Sequence, residues 1–210
     1  MTVFEWGDPA APTVLIQPVG EHDPEGIQNE LAAIRNMVPG TVRLLAVRVD
    51  DWNRDLSPWP APAVFGKEGF GGRAAAVLEE ITEYCKDTGR TYYIGGYSLA
   101  GLFALWAAYQ TDCFRGVAAA SPSIWFPGFT DYMKKHEIRT KRVYLSLGDR
   151  EERTRNPLMA SVGARIREAC DLLQSKGIPS LLEWNPGNHF RDADIRTAKA
   201  FAWVVSQEVL

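Results

Sequence analysis

Ser98 stands where an apolar run meets a helix-like run, and small residues flank it. Residues 92–106 read YYIGGYSLAGLFALW. A serine hydroxyl becomes a useful nucleophile when a sharp strand-to-helix turn presents it to a base. Such a turn needs small residues two before and two after the serine. Here they are Gly96 and Ala100, with Gly101 adding room where the helix would pack. Glycine is the more usual second small residue, so the pattern is a variant one. An ordinary helix N-cap would also explain a lone serine. The apolar strand before Ser98 and the buried helix after it favour the nucleophile. In that geometry the Leu99 N–H faces the position of a developing oxyanion.

A serine of this kind needs a base and an acid, which in this arrangement follow it in chain order. The chain has three histidines. His22 lies well before the serine, and His136 sits in the charged stretch KKHE, which reads as solvated. His189 follows the last expected strand in a short Gly-Asn loop, which is where the base belongs. The acid should follow the strand 143–148, in the run GDREE. Glu151, three residues after Gly148, is preferred, with Asp149 and Glu152 as competitors. At least two of these three acids must then be ordinary solvated charges. The acid would accept the Nδ1–H of His189, fixing its tautomer and stabilising the imidazolium.

These residues must be carried by strands and helices that alternate along the chain. Residues 13–17, 42–47, 92–95, 116–120, 143–148 and 181–184 read as short apolar strands. Between them lie helical patterns. One is opened by Asp23 as N-cap, with Pro24 and Glu25 in its first turn. Another carries Val77, Ile81, Tyr84 and Cys85 and ends near Gly89. The segment 102–109 is apolar all round and should be a buried central helix. Asn156-Pro157 should cap a long helix through Val162, Ile166, Ala169 and Leu173. Ile195, Ala198, Phe201, Ala202 and Val205 mark the last. Strands without polar alternation imply a mostly parallel sheet covered on both faces, an α/β class with three layers. Sites in such sheets sit at the carboxyl ends of the strands.

Loops at those ends supply the remaining candidates. Residues 18–20, after the first parallel strand, place Val19 and Gly20 where a second main-chain oxyanion donor is needed. Residues 48–71 form a connection rich in Trp, Pro, Gly and Asp, and connections this long are usually functional. Trp52 and Trp59 from it, Trp125 and Phe126 from residues 121–126, and Tyr97 beside the serine are candidates to wall a substrate pocket. The aromatics could equally do no more than pin the loops to the core.

Composition narrows the rest. The 210 residues suit one domain, and 46% hydrophobic with 23% charged residues reads as globular. Net charge is −3 and no basic run appears, which argues against nucleic acid. No window approaches the roughly 20 apolar residues of a membrane span. Glu5 and the early prolines argue against a signal peptide. Cys85, Cys113 and Cys170 are odd in number and match neither a metal site nor a disulfide framework. A cytoplasmic protein with reduced thiols is expected, without metal or cofactor. Its oligomeric state is open.

With these residues in hand, the chain resembles the esterase family that includes esterase D, enterochelin esterases and mycolyltransferases. The resemblance runs from about Val14 to Val205. It rests on QPVG at 17–20, DDWN at 50–53, the GYSLAG turn, SPS at 121–123, LGDRE at 147–151 and Asn188-His189. It implies a single-domain three-layer α/β-hydrolase, residues 1–210. It also implies hydrolysis of a small-molecule carboxylic ester by Ser98, Glu151 and His189. Siderophore and mycolate substrates do not follow from it, since the extra N-terminal domain of enterochelin esterases is missing. With no insertion long enough to form a cap, small or short-chain acyl groups are expected. The rival readings are an acyltransferase or thioesterase using the same acyl-enzyme, and a non-catalytic binding protein on the same fold. A flavodoxin-like cofactor binder fits poorly, because proline and glutamate in residues 18–21 spoil a phosphate cradle.

Overall fold

The structure, a computed structural model, describes residues 1–21 and 24–206. In chain order its elements are β1 (Thr2–Gly7), β2 (Thr13–Val19), α1 (Pro24–Met37), β3 (Val42–Arg48), α2 (Trp52–Leu56), β4 (Pro60–Ala61), β5 (Phe70–Gly71) and α3 (Ala74–Thr82). Then come β6 (Thr91–Tyr97), α4 (Leu99–Gln110), β7 (Phe114–Ala120), α5 (Phe129–Lys135), β8 (Val143–Gly148), α6 (Pro157–Ala160), α7 (Val162–Ser175), β9 (Ser180–Asn185) and α8 (Ala193–Ser206). The expected cap at Asp23 and the position of His22 lie outside the described residues.

Seven strands form one sheet in the order β1-β3-β2-β6-β7-β8-β9. All neighbouring pairs are parallel except β1 against β3. The central strands are buried along most of their length, which is why their sequences lack polar alternation. Helices α1 and α8 pack on one face, around Leu31, Ile34, Ala198 and Phe201. Helices α3, α4 and α7 cover the other, around Ile81, Phe103 and Ile166. Helix α4 is buried from Leu99 to Tyr109, so it needs no polar stripe.

The sequence reading misses several features. Strand β1 is an extra antiparallel edge strand whose residues are only partly buried. The connection 48–71 holds α2 and a two-stranded ribbon, β4 against β5. The helix expected to start at Asn156 is broken: Asn156 caps the single turn of α6, and α7 starts afresh at Val162. Helix α3 ends at Thr82 and gives way to a 3₁₀ turn, Glu83–Cys85, before Gly89 is reached. Helix α5 is also unforeseen. It places Lys134 and Lys135 in its last turn, where cations face the negative end of the helix.

Candidate active site

The turn between β6 and α4 holds Ser98 at φ 58°, ψ −119°, a strained left-handed conformation for a residue with a Cβ. Its N–H donates to the Ala120 carbonyl at 3.1 Å, and its carbonyl accepts from Leu102 and Ser123 at 3.1 and 3.0 Å. The sharpness of the turn explains the small residues. Gly96 sits at φ 152°, and a Cβ there would come 2.7 Å from the Ala100 Cβ. A Cβ on Gly101 would meet the Gly96 carbonyl oxygen at 2.9 Å. As first residue of α4, Leu99 has an N–H with no acceptor inside the helix.

Ser98 Oγ lies 3.0 Å from His189 Nε2, and His189 Nδ1 lies 2.7 Å from Glu151 Oε2. With the proton on Nδ1, the imidazole donates to the carboxylate and accepts from the serine hydroxyl. The other Glu151 oxygen accepts from the Gly148 N–H at 2.7 Å, the Ser121 hydroxyl at 2.8 Å and Arg196 at 3.1 Å. Burial pushes the Glu151 carboxyl up, but hydrogen bonds and charge from His189, with the Gly148 and Ser121 donors, hold it below its ordinary value.

Of the three candidate acids, the structure brings only Glu151 to the histidine. Asp149 turns to the loop carrying His189, where its carboxylate accepts from the Gly187 N–H at 2.8 Å. The Arg150 N–H donates to the Gly187 carbonyl at 3.1 Å, so these two bonds tie the loop carrying Glu151 to the loop carrying His189. Glu152 faces Arg167 at 3.6 Å. His136 stacks on Tyr132, with ring centroids 3.9 Å apart, away from the site.

Ser98 sits between two concavities. The larger, about 630 Å³, is walled by Trp52, Phe65, Phe70, Trp125, Met159 and Val162, with Arg150 and Arg153 also lining it. The smaller, about 520 Å³, is lined by Gln17, Val19, Glu30, Tyr97, Asp192 and Asp194, and shares Trp52 and Phe190 with the first. Val19 ends β2 and borders this second groove, whereas Gly20 lines neither concavity.

The aromatic candidates separate. Trp52, Trp125 and Tyr97 reach a concavity. Trp59 and Phe126 do not, and that expectation is corrected. Trp59 donates its ring N–H to the Pro127 carbonyl at 3.0 Å and packs on Phe126, Phe129 and Tyr132. Phe126 is fully buried, edge-on to Phe70. Together they anchor the long loops to the core. Phe65, Phe70, Met159, Ser123 and Arg196 were not foreseen. Ser123 Oγ lies 3.3 Å from Ser98 Oγ, and the SPS motif was the available signal.

Among the described residues no group of three His, Cys, Asp or Glu is arranged to hold a metal ion. Burial pushes the Cys85 thiol up to about 12, which makes it a poor thiolate. No described helix is long and apolar enough to cross a membrane.

No protein-family model and no curated protein sequence matches the chain. Solved structures do. Siderophore hydrolase EstA from Aspergillus nidulans is 16% identical with a TM-score of 0.69, covering 99% of this chain and 95% of that one. An IroE-like serine hydrolase from Shewanella oneidensis is 16% identical with a TM-score of 0.72, covering 95% and 72%. The enterobactin esterase FES from Shigella flexneri, solved in the presence of 2,3-di-hydroxy-N-benzoyl-serine, is 17% identical with a TM-score of 0.65, covering 99% and 55%. At such identities the likeness is one of fold. The fold of this chain is that of the α/β-hydrolases, and the solved proteins it is similar to are siderophore esterases and other serine hydrolases.

Proposed function

We propose that this chain is a single-domain serine hydrolase of small-molecule carboxylic esters, with Ser98 as nucleophile, His189 as base and Glu151 as the acid. One observation carries the reading: a strained serine has its hydroxyl 3.0 Å from an imidazole whose other nitrogen meets a carboxylate at 2.7 Å. A helix N-cap serine has no need of that chain of bonds, and Ser98 makes no side-chain cap bond.

Ser98 Oγ attacks the ester carbonyl as His189 Nε2 takes its proton. The oxyanion is held by the Leu99 N–H and by a main-chain N–H at Val19 or Gly20. Collapse breaks the ester bond, and the leaving alcohol takes the proton from His189. Water then attacks the acyl-enzyme, giving its proton to the same nitrogen, and the acid product departs as Ser98 is reprotonated. Glu151 stabilises the imidazolium formed in each half.

The aromatic walls of the larger cavity favour a short apolar or aromatic acyl group, and Arg150 and Arg153 favour an anionic substituent on it. One structural neighbour, the enterobactin esterase FES, was solved in the presence of 2,3-di-hydroxy-N-benzoyl-serine, which accords with an aromatic group in the substrate. Tyr97, Trp52 and Trp125 would contact substrate.

The test is hydrolysis of a short-chain p-nitrophenyl ester panel by wild type, Ser98→Ala and His189→Ala, with fluorophosphonate labelling alongside. Activity and labelling should collapse by several orders of magnitude in both variants, because triad members act as a unit. Hydrolysis that survives Ser98→Ala would overturn the assignment.

A further inference from the structure

Arg196, in the first turn of α8, is a charged side chain only 2% exposed, and the proposed reaction gives it no step. Its guanidinium is divided between the two halves of the catalytic pair. Nη1 donates to Glu151 Oε1 at 3.1 Å and to the Tyr97 hydroxyl at 3.0 Å, with Ser121 Oγ at 3.4 Å. Nη2 donates to the Pro186 carbonyl at 3.1 Å. The Tyr97 hydroxyl passes the connection on, donating to the His189 carbonyl at 2.8 Å. One side chain therefore grips the acid directly. It also grips the loop that carries the base at two points, Pro186 directly and His189 through Tyr97.

We propose that Arg196 is a positioning residue that holds Glu151 and His189 in register. The proposal rests on the triad reading above. A buried ion pair serving stability alone would need only the bond to Glu151, and such pairs are weak sources of stability. What that role leaves unexplained is the fork, with acceptors on the strand-end tyrosine, the acid loop and the base loop. A guanidinium offers donors in a rigid planar fan and suits this division. A lysine ammonium, a single point charge, cannot span it. The glycine at 148 lies in the same crowded place: a Cβ there would sit 2.4 Å from the Gly187 carbonyl oxygen, 2.9 Å from Glu151 Oε1 and 3.0 Å from Arg196 Nη1. This last residue of β8 must lack a side chain for the His189 loop, the Glu151 carboxylate and the arginine to close around it. Tyr97, expected from sequence to face substrate, takes a second part here as the link.

The experiment compares Arg196→Lys, Arg196→Met and Tyr97→Phe with wild type, using the full chain. Two readouts are followed: kcat and KM for p-nitrophenyl acetate, and the downfield proton resonance of His189 Nδ1–H in the free protein. Arg196→Lys should lower kcat by about tenfold to a hundredfold, the scale expected for sub-ångström misplacement, with KM within about threefold. Its downfield resonance should shift or broaden. Tyr97→Phe should lose less, and should add little in the Arg196→Lys background because both act through one connection. If Arg196→Met fails to fold, Arg196→Lys and Tyr97→Phe still decide the matter. An Arg196→Lys protein that melts lower yet keeps kcat and the resonance would overturn the proposal, leaving Arg196 a structural ion pair. The resonance needs no substrate. A wild type that cleaves no ester would therefore defeat the esterase reading, while the resonance in Arg196→Lys would still decide the positioning role. Absence of the resonance from wild type would defeat both.

Discussion

At the scale of single residues, the candidate site is a chain of hydrogen bonds from Ser98 through His189 to the Glu151 carboxylate. Glu151→Gln keeps the shape of the acid but loses its charge and leaves His189 without its preferred acceptor. We expect kcat to fall by about a thousandfold or more with little change in KM, measured on a short p-nitrophenyl ester. The same carboxyl makes stability depend on pH. Its folded-state pKa lies below the ordinary value of 4.5. Its contribution is therefore complete above that value and is lost as pH falls through the depressed folded value. Wild-type melting temperature should drop in that acid window. The gap between wild type and Glu151→Gln should narrow there, which a thermal-unfolding series from pH 7 to pH 3 would detect. A gap that stays constant would contradict the pKa direction.

At the scale of elements, the turn after β6 and the loops after β8 and β9 bring Ser98, Glu151 and His189 together, and the loops after β3 and β7 border them. Gly96 combines φ 152° with a close approach to Ala100. Gly96→Ala should cost about 1–3 kcal/mol from the backbone alone, and should slow fluorophosphonate labelling because the elbow must open. Thermal unfolding and labelling rates check both. Trp59 tests a different point. Its ring is an anchor among Phe126, Phe129 and Tyr132. Trp59 is partly buried, so Trp59→Ala should destabilise by about 2–3 kcal/mol while the KM of the folded protein stays near wild type. Trp52→Ala, which opens the wall common to both concavities, should instead raise KM with a small effect on stability. Reversal of that pair of outcomes would return Trp59 to the pocket wall.

At the scale of the molecule, two helical layers hold the sheet ends still. Helix α8 matters most, since it packs on β6, β7 and β8 and also delivers Arg196. Phe201 on its inner face is fully buried, and Gly95 in β6 is a glycine because a Cβ there would lie 2.6 Å from the Phe201 ring. Phe201→Ala should cost about 3–5 kcal/mol by urea unfolding. It should also lower kcat more than a comparable cavity on the far side of the sheet, such as Ile166→Ala in α7, because α8 carries Arg196, which donates to the proposed acid. Equal losses of activity from the two variants would argue against that coupling.

How much of this was legible in the chain follows from how local each signal is. The elbow was legible because its steric demand falls within two residues of Ser98, and the strand and helix around it are apolar runs of the right length. His189 was legible by chain order, once His136 is set aside as solvated. The α/β architecture follows from strands without polar alternation. Trp59 and Phe126 were indistinguishable from pocket walls, since loop aromatics look alike until packing assigns them. Strand β1 was missed because an edge strand is only partly buried and carries little pattern.

Other features only the tertiary structure decided. Asp149, Glu151 and Glu152 share one turn, and no spacing rule tells which carboxylate meets an imidazole 38 residues away. Direction decided it: of the three, Asp149 ties down the loop carrying His189, Glu152 turns toward α7, and Glu151 points to His189. Arg196 lay hidden for a related reason. The apolar spacing of α8 selects Ile195, Ala198, Phe201, Ala202 and Val205, yet Ile195 is 41% exposed while Arg196 is 2% exposed. Hydrophobic periodicity follows the cost of wetting apolar surface. It cannot register a cation drawn inward by a buried carboxylate, because the partner that makes the burial favourable comes from a distant part of the chain. The sequence by itself determined the class of fold, and it singled out the tight turn at Ser98 and His189 as candidates. The partners of the histidine, and the hydrogen bonds of Arg196 around them, were decided when the strand ends met.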